Sequence, residues 1–252
     1  MDIRVLPASL PSCPGFSLTG FVIDGVLAVD AGPLGLCGLP EELAKITDIL
    51  LTHSHIDHVA GLPIFLDNVY GLSEKAPTIH ATTPTLNSLQ NDIFNDRVMP
   101  DFIGMSKVLP PFLQLNTIRA NEPFRIGRYT IHAREVIHPV PTVAYLIDDG
   151  TAAIAIVTDT APVPDLLAWI AKQPRLRAVF LEASFPKDMR ELAGTCGHHT
   201  SEQFVEAARA LAPLPVYPTH IKPRFVEIIR QEIVDARLPN VRFIVPGDVV
   251  EV

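Results

Sequence analysis

Between Thr52 and Gly61 the chain reads Thr-His-Ser-His-Ile-Asp-His-Val-Ala-Gly, which sets four metal-donor side chains, His53, His55, Asp57 and His58, within six residues. Imidazole nitrogen and carboxylate oxygen suit zinc, iron or manganese. The run has no thiolate, which argues against a closed structural zinc knot. A single histidine after a strand is most often a hydrogen-bonded core or surface residue, so a metal reading needs further donors downstream. His138, Asp159, His198 and His220 supply them, each in a strand-end or loop position.

The elements around these residues explain their placement. The apolar run from Ile46 to Leu51 reads as a buried strand. His53 and His55, two apart, then face one side of an extended chain, and Asp57 and His58 arrive as it turns into a helix over 59–69. Upstream, strands are expected at 2–6, 19–23 and 26–29, with a loop at 7–17 and an Asp24-Gly25 hairpin turn. The third strand ends in Asp30-Ala31-Gly32, where Asp30 is either a holder of the neighbouring ligand loop or a turn former. A short helix starts at Pro40. His80, inside a strand over 78–81, is assigned to packing or a surface face.

From Thr85 the spacing of Leu86, Leu89, Ile93 and Phe94 is helical. The stretch to Pro111 then turns rich in Asn, Asp and Pro, a substrate-facing insertion or a surface excursion. Strands follow at 113–118, 124–126, 130–136, 144–147 and 152–157. His132 is structural, His138 lies past the third and Asp159 past the last. A helix at 163–171 carrying Trp169 precedes a strand at 178–181 that ends in Glu182. A polar loop leads to Gly197-His198-His199-Thr200, with Thr200 capping a helix over 201–211. A strand before His220, a helix at 225–236 and a strand at 241–245 close the chain. Two sheets packed together with helices outside would bury such strands and gather their loops at one rim, and one domain over 1–252 accounts for the whole.

The composition narrows the partners. The chain has 252 residues, 48% hydrophobic and 19% charged, with a net charge of -8. An acidic balance gives no support to an extended nucleic-acid surface, which needs surplus Lys and Arg. Bound divalent ions would still let it take a small phosphate-bearing substrate. The three cysteines, Cys13, Cys37 and Cys196, are no disulfide framework, and with neither a signal peptide nor an apolar membrane span the expected location is cytoplasmic.

The set of residues resembles the metallo-beta-lactamase superfamily, through His53-Ser54-His55-Ile56-Asp57-His58 and the later donors in order. Within it the chain is most similar to the class II 3′,5′-cyclic-nucleotide phosphodiesterases. The local matches are His55 to Leu62, Ile93 to Phe102, Leu181 to Pro186, Gly197 to Thr200 and Thr219 to Pro223. Two positions depart from that family: Phe65 to Asn68 replaces a usual Ser-Pro ending, and Met99 stands where tryptophan is expected.

The resemblance implies an α/β fold, the αββα sandwich, with two divalent ions, zinc first and manganese or iron as alternatives. One ion would be held by His53, His55 and His138, the other by Asp57, His58 and His220, with Asp159 bridging. The implied reaction is hydrolysis of cyclic AMP or cyclic GMP to the 5′-monophosphate by a hydroxide between the two ions. His198 is the candidate acid for the leaving 3′ oxygen, with its neighbour His199 as the residue to confuse with it. Asp57 is assigned to catalysis as well as to metal. Lys222, Asn95 and His199 are candidate substrate contacts, and Asp30 and Glu182 candidate holders of ligand imidazoles. A homodimer is a family-weighted expectation. The alternatives are a ribonuclease Z-like endonuclease, another hydrolase of the superfamily, and a noncatalytic cyclic-nucleotide-binding module.

Overall fold

The computed structural model describes residues 1–7, 15–73 and 75–252. Most of the loop expected at 7–17, and Cys13, lie outside the described residues. Within them the strands are, in chain order, β1 (Asp2–Val5), β2 (Phe21–Ile23), β3 (Leu27–Val29), β4 (Asp48–Leu50), β5 (Thr78–Ala81), β6 (Gln114–Thr117), β7 (Phe124–Ile126), β8 (Tyr129–Glu135), β9 (Val143–Asp148), β10 (Ala153–Val157), β11 (Leu176–Glu182), β12 (Val216–Thr219) and β13 (Val249–Glu251). The α-helices are α1 (Pro40–Leu43), α2 (Ile56–Val59), α3 (Leu62–Val69), α4 (Thr83–Ser88), α5 (Phe102–Met105), α6 (Pro164–Ile170), α7 (Arg190–Cys196), α8 (Ser201–Ala210) and α9 (Val226–Asp235). None of them is long and apolar enough to cross a membrane. Cys37 and Cys196 are free thiols.

The chain forms two compact units. The first holds Leu18–Arg119 with β1 and β13, and the second is centred on Ala120–Pro246. The first unit carries a sheet in the order β13-β1-β2-β3-β4-β5-β6, antiparallel up to β3 and parallel from β3 to β6. Asp24 and Gly25, both at positive φ, make the expected β2–β3 turn. The core packs α3, through Phe65, Leu66 and Val69, with Ile49 of β4. The insertion from Thr85 is tied into this core by aromatic rings: Phe102 stacks on Phe112 at 4.3 Å, and Phe112 on Tyr70 at 3.9 Å.

The second unit carries a sheet in the order β12-β11-β10-β9-β8-β7. Its β10–β12 half is parallel and its β7–β10 half antiparallel. β10, parallel to β11 and antiparallel to β9, is buried along its whole length. His132 meets the Trp169 ring edge-on at 5.8 Å, a packing role.

Three expectations need correction. The helix over 59–69 is two helices, because Thr19 N–H takes the Asp57 carbonyl and Gly61 N–H turns out to Ala31. The strand at 241–245 is a single bridge from Val241 to Val216. Val216 exchanges hydrogen bonds with Asn240 and Arg242, but the next donor along that edge would be Pro218, which has no N–H. β13, paired to β1, closes the chain instead. Finally, α7 occupies the polar loop before His198. Only Ala193 on it is buried, so no apolar stripe announced it. Gly197, at φ 69° just past its end, was the available signal.

Candidate metal centre

In the first unit, β3 and β4 run parallel, so both carboxyl ends reach one edge of the sheet. β3 delivers Asp30, whose φ of 57° turns the chain sharply. β4 delivers the segment Thr52 to His58. The two loops join main chain to main chain, Ala31 N–H donating to His58 O at 2.7 Å, and Thr19 N–H, from the stretch before β2, donates to Asp57 O at 2.8 Å. A Cβ on Gly32 would lie 2.0 Å from the Asp57 carbonyl, so this approach requires glycine.

Asp30 is fully buried and surrounded by donors. Its Oδ1 accepts Thr52 N–H at 2.8 Å, its Oδ2 accepts the Thr52 hydroxyl at 2.9 Å, and its Oδ2 also accepts His58 Nδ1–H at 2.7 Å. Nδ1 is thereby committed as a donor, which leaves the lone pair of His58 on Nε2, 3.7 Å from Asp57 Oδ2. The His53 ring centroid lies 4.2 Å from that of His58 and 4.6 Å from that of His55. Four donor-type side chains therefore converge within this unit, with His53 and His58 buried and His55 and Asp57 half-buried.

The second unit uses the same construction. β10, β11 and β12 are parallel, and β8, antiparallel to β9 as β9 is to β10, points the same way. Their carboxyl ends deliver His138, Asp159, Glu182 and His220. Asp159 and His220 sit at φ 44° and 53°. His138 Nδ1–H donates to the Gly197 carbonyl at 3.1 Å, leaving Nε2 at 3.7 Å from Asp159 Oδ2. His220 Nε2 stands 3.4 Å from Asp159 Oδ1.

Glu182 is fully buried. It accepts Thr160 N–H at 2.5 Å, the Ser184 hydroxyl at 2.5 Å and His198 Nδ1–H at 3.0 Å. Burial works to raise the Glu182 carboxyl, but the hydrogen bond and charge of His198 outweigh it and hold the carboxyl below its usual range. The reverse holds for His198: burial works to lower its pKa and the Glu182 carboxylate more than offsets this, so the imidazole is raised. Glu182, His198 and His220 cluster with donor atoms within 4.8 Å of one another, and the His198 ring stacks over His220 at 5.4 Å.

The two adjacent histidines part ways. His198 faces Glu182, whereas His199 is buried with Nδ1–H on the Thr160 carbonyl at 2.8 Å, and burial pushes its pKa down. Lys222 holds its ammonium 5.4 Å from the centre of the Phe185 ring, which itself lies 5.8 Å from the His198 ring. The Asn95 side chain serves its own loop, accepting Arg97 and Val98 N–H at 3.0 Å and donating to Asn91 O. Sequence reading did not single out the hydroxyls of Thr52 and Ser184. Their one local signal is a hydroxyl residue beside a ligand-type histidine or two residues past a buried glutamate.

The donor spacing fits metal ions. Two ligands of one tetrahedral zinc, at about 2.0–2.1 Å each, stand about 3.3 Å apart. The Nε2-to-carboxylate separations of 3.4 to 3.7 Å at His220, His138 and His58 are of that size, and long for direct hydrogen bonds. Three imidazoles in two units each turn Nδ1 toward a hydrogen-bond partner and present Nε2 to a carboxylate, which is the presentation a divalent ion needs.

Comparison with known proteins agrees with this chemistry. A family described as Beta-lactamase superfamily domain matches residues 21–221. A probable 3′,5′-cyclic-nucleotide phosphodiesterase of Yersinia pestis is 28% identical over 207 residues, covering 72% of this chain and 58% of that protein. The chain thus spans less than two thirds of that relative's length. A ribonuclease Z of Methanococcus maripaludis is 22% identical, covering 82% of each chain. The structure of unliganded yeast PDE1 superposes with a TM-score of 0.78 at 18% identity, covering 100% of this chain and 99% of that one. This last likeness carries the fold, two mixed sheets flanked by helices in the αββα arrangement expected from sequence.

Proposed function

The chain belongs to the beta-lactamase superfamily, and on that premise we propose that it is a metal-dependent hydrolase that opens 3′,5′-cyclic nucleotides to nucleoside 5′-monophosphates. The observation that carries the proposal is the pair of imidazole nitrogens, His138 Nε2 and His220 Nε2, set at 3.7 and 3.4 Å on either oxygen of one carboxylate, Asp159. A carboxylate flanked in this way suits a bridge between two cations. On this reading the metal ligands would be His53, His55, Asp57 and His58 in the first unit and His138, Asp159 and His220 in the second. When bound, two divalent ions provide a water-derived nucleophile at neutral pH and neutralise charge on the phosphoryl oxygens.

The chain's own residues supply the rest. His198, held by Glu182 through Nδ1, offers Nε2 as the acid that protonates the departing 3′ oxygen. Lys222 offers a cation for the phosphate. The acidic balance of the chain and the likeness to a cyclic-nucleotide phosphodiesterase both support a small substrate. Protein loaded with zinc or manganese is expected to convert 3′,5′-cyclic AMP or cyclic GMP to the 5′-monophosphate and to spare a 2′,3′-cyclic nucleotide. Intact cyclic substrates beside a cleaved transfer-RNA precursor would overturn the substrate assignment.

The second reading is a ribonuclease Z-like endonuclease, favoured by a likeness that covers 82% of both chains. It predicts binding to structured RNA that weakens steeply with salt as phosphate contacts are lost.

A further inference from the structure

The two units share a device that the ligand set alone does not contain. In each, a fully buried carboxylate accepts three hydrogen bonds: one from a backbone N–H, one from an imidazole Nδ1–H, and one from a hydroxyl. For Asp30 the donors are Thr52 N, His58 and the Thr52 hydroxyl. For Glu182 they are Thr160 N, His198 and the Ser184 hydroxyl.

Each hydroxyl also touches a second imidazole. Thr52 Oγ1 lies 3.0 Å from His53 Nδ1, and Ser184 Oγ lies 2.9 Å from His220 Nδ1. A hydroxyl has one hydrogen to give and lone pairs to accept with. Facing a carboxylate at 2.9 Å in one case and 2.5 Å in the other, it gives that hydrogen to the carboxylate, because two lone pairs at such distances repel. A weaker claimant, the His220 carbonyl at 3.2 Å from Ser184 Oγ, is neutral and farther away. The hydroxyl oxygen then has only acceptor capacity left for the imidazole. Both histidines must therefore carry their proton on Nδ1 and their lone pair on Nε2.

We propose that Thr52 and Ser184 are positioning residues that fix the tautomer of His53 and His220 through a hydroxyl relay, so that one carboxylate in each unit sets two imidazoles, one by direct contact and one at second hand. The consequence for metal chemistry rests on reading His53 and His220 as ligands: the relay presents Nε2 in advance and raises the basicity of the ring. Without the hydroxyl, each ring would be free to place its proton on Nε2, where an ion cannot bind.

The test uses the full chain and the variants Thr52→Val, Ser184→Ala, Thr52→Ser and Ser184→Thr. Nitrogen-15 imidazole NMR of the metal-free protein reads the tautomer directly. The wild type is expected to show His53 and His220 protonated on Nδ1. Thr52→Val should release His53 alone and Ser184→Ala should release His220 alone. Zinc affinity, measured by competition with a chromophoric chelator, should fall about 10- to 100-fold at one site in each of these variants. Both hydroxyl-keeping variants should stay close to wild type.

Unchanged tautomers in Thr52→Val and Ser184→Ala would overturn the relay whatever the metal data show. Altered tautomers in a protein that takes up no zinc would leave the relay standing and remove the ligand reading instead. If Ser184→Ala does not fold, Thr52→Val, which removes the matching hydroxyl beside His53, carries both measurements alone.

Discussion

The two units each surround a buried carboxylate with the same parts and set different histidines on it. Asp30 and Glu182 each take a backbone N–H, a hydroxyl and an imidazole. The imidazole on Asp30 is His58, which presents Nε2 to the Asp57 carboxylate. The imidazole on Glu182 is His198, which stacks over His220. On the proposed function, one carboxylate prepares a histidine to accept a metal, the other a histidine to hold and give a proton. The lesson is that the partner on Nδ1 does not decide a histidine's task. What lies in front of Nε2 decides it.

The sharpest way to break this comparison is to remove the two directly held imidazoles in turn. His58→Ala is expected to lose one equivalent of metal and with it all measurable turnover. His198→Ala should keep both metals while turnover falls by about 10²- to 10⁴-fold, the usual range for a general acid. Metal analysis beside steady-state rates separates the two, and loss of metal in His198→Ala would place it among the ligands.

Replacing the carboxylates themselves should produce a smaller and more even effect. Asp30→Asn and Glu182→Gln each set an amide donor against donors in a buried site, at a cost of about 3 kcal/mol in the stability of the metal-free protein. Urea unfolding reads this cost. The functional readouts should then diverge: Asp30→Asn lowers metal affinity, and Glu182→Gln lowers turnover as well.

The smallest effect concerns the β9–β10 turn of the second unit. Burial works to raise the Asp149 carboxyl, but N–H donation from Ala152 and Thr151 and the Thr151 hydroxyl prevail and draw it down to about 2. A depressed carboxyl contributes stability above its unfolded pKa and loses it as the pH falls through the folded one. Wild-type protein should therefore lose this contribution between about pH 4 and pH 2, and Asp149→Asn should flatten that stretch of the pH profile of the urea midpoint. An unchanged profile would show that the turn bonds do not reach the folding equilibrium.

Much of the site was legible because its donors are local. His53 to His58 form one contiguous motif, and an apolar strand before Asp159 or His220 can be read without knowing what that strand pairs with. The supporting contacts were not, because they join distant positions. Thr52 acquires its role only from Asp30, twenty-two residues away, and Gly32 is required only because the Asp57 carbonyl comes down upon it. The same limit explains the errors in the fold. Whether Val241 to Val245 pairs depends on Pro218 across the edge, and α7 has almost no buried face to reveal it. Sequence reading could say that His198 and His199 face apart, while the Thr160 carbonyl and the Glu182 carboxylate decide which faces where.

Asp159 adopts a φ of 44°, a region where an L-residue with a side chain is strained and glycine is at ease. That strain gives the position a direction of decay. In a lineage released from the need to hydrolyse anything, the easiest exchange at 159 is to glycine, which relaxes the backbone and discards a carboxylate that no longer matters. Such descendants would keep both sheets and melt no earlier than their ancestor. The first trace of a retired copy of this protein would be an improvement in comfort at a residue that had been asked to sit awkwardly.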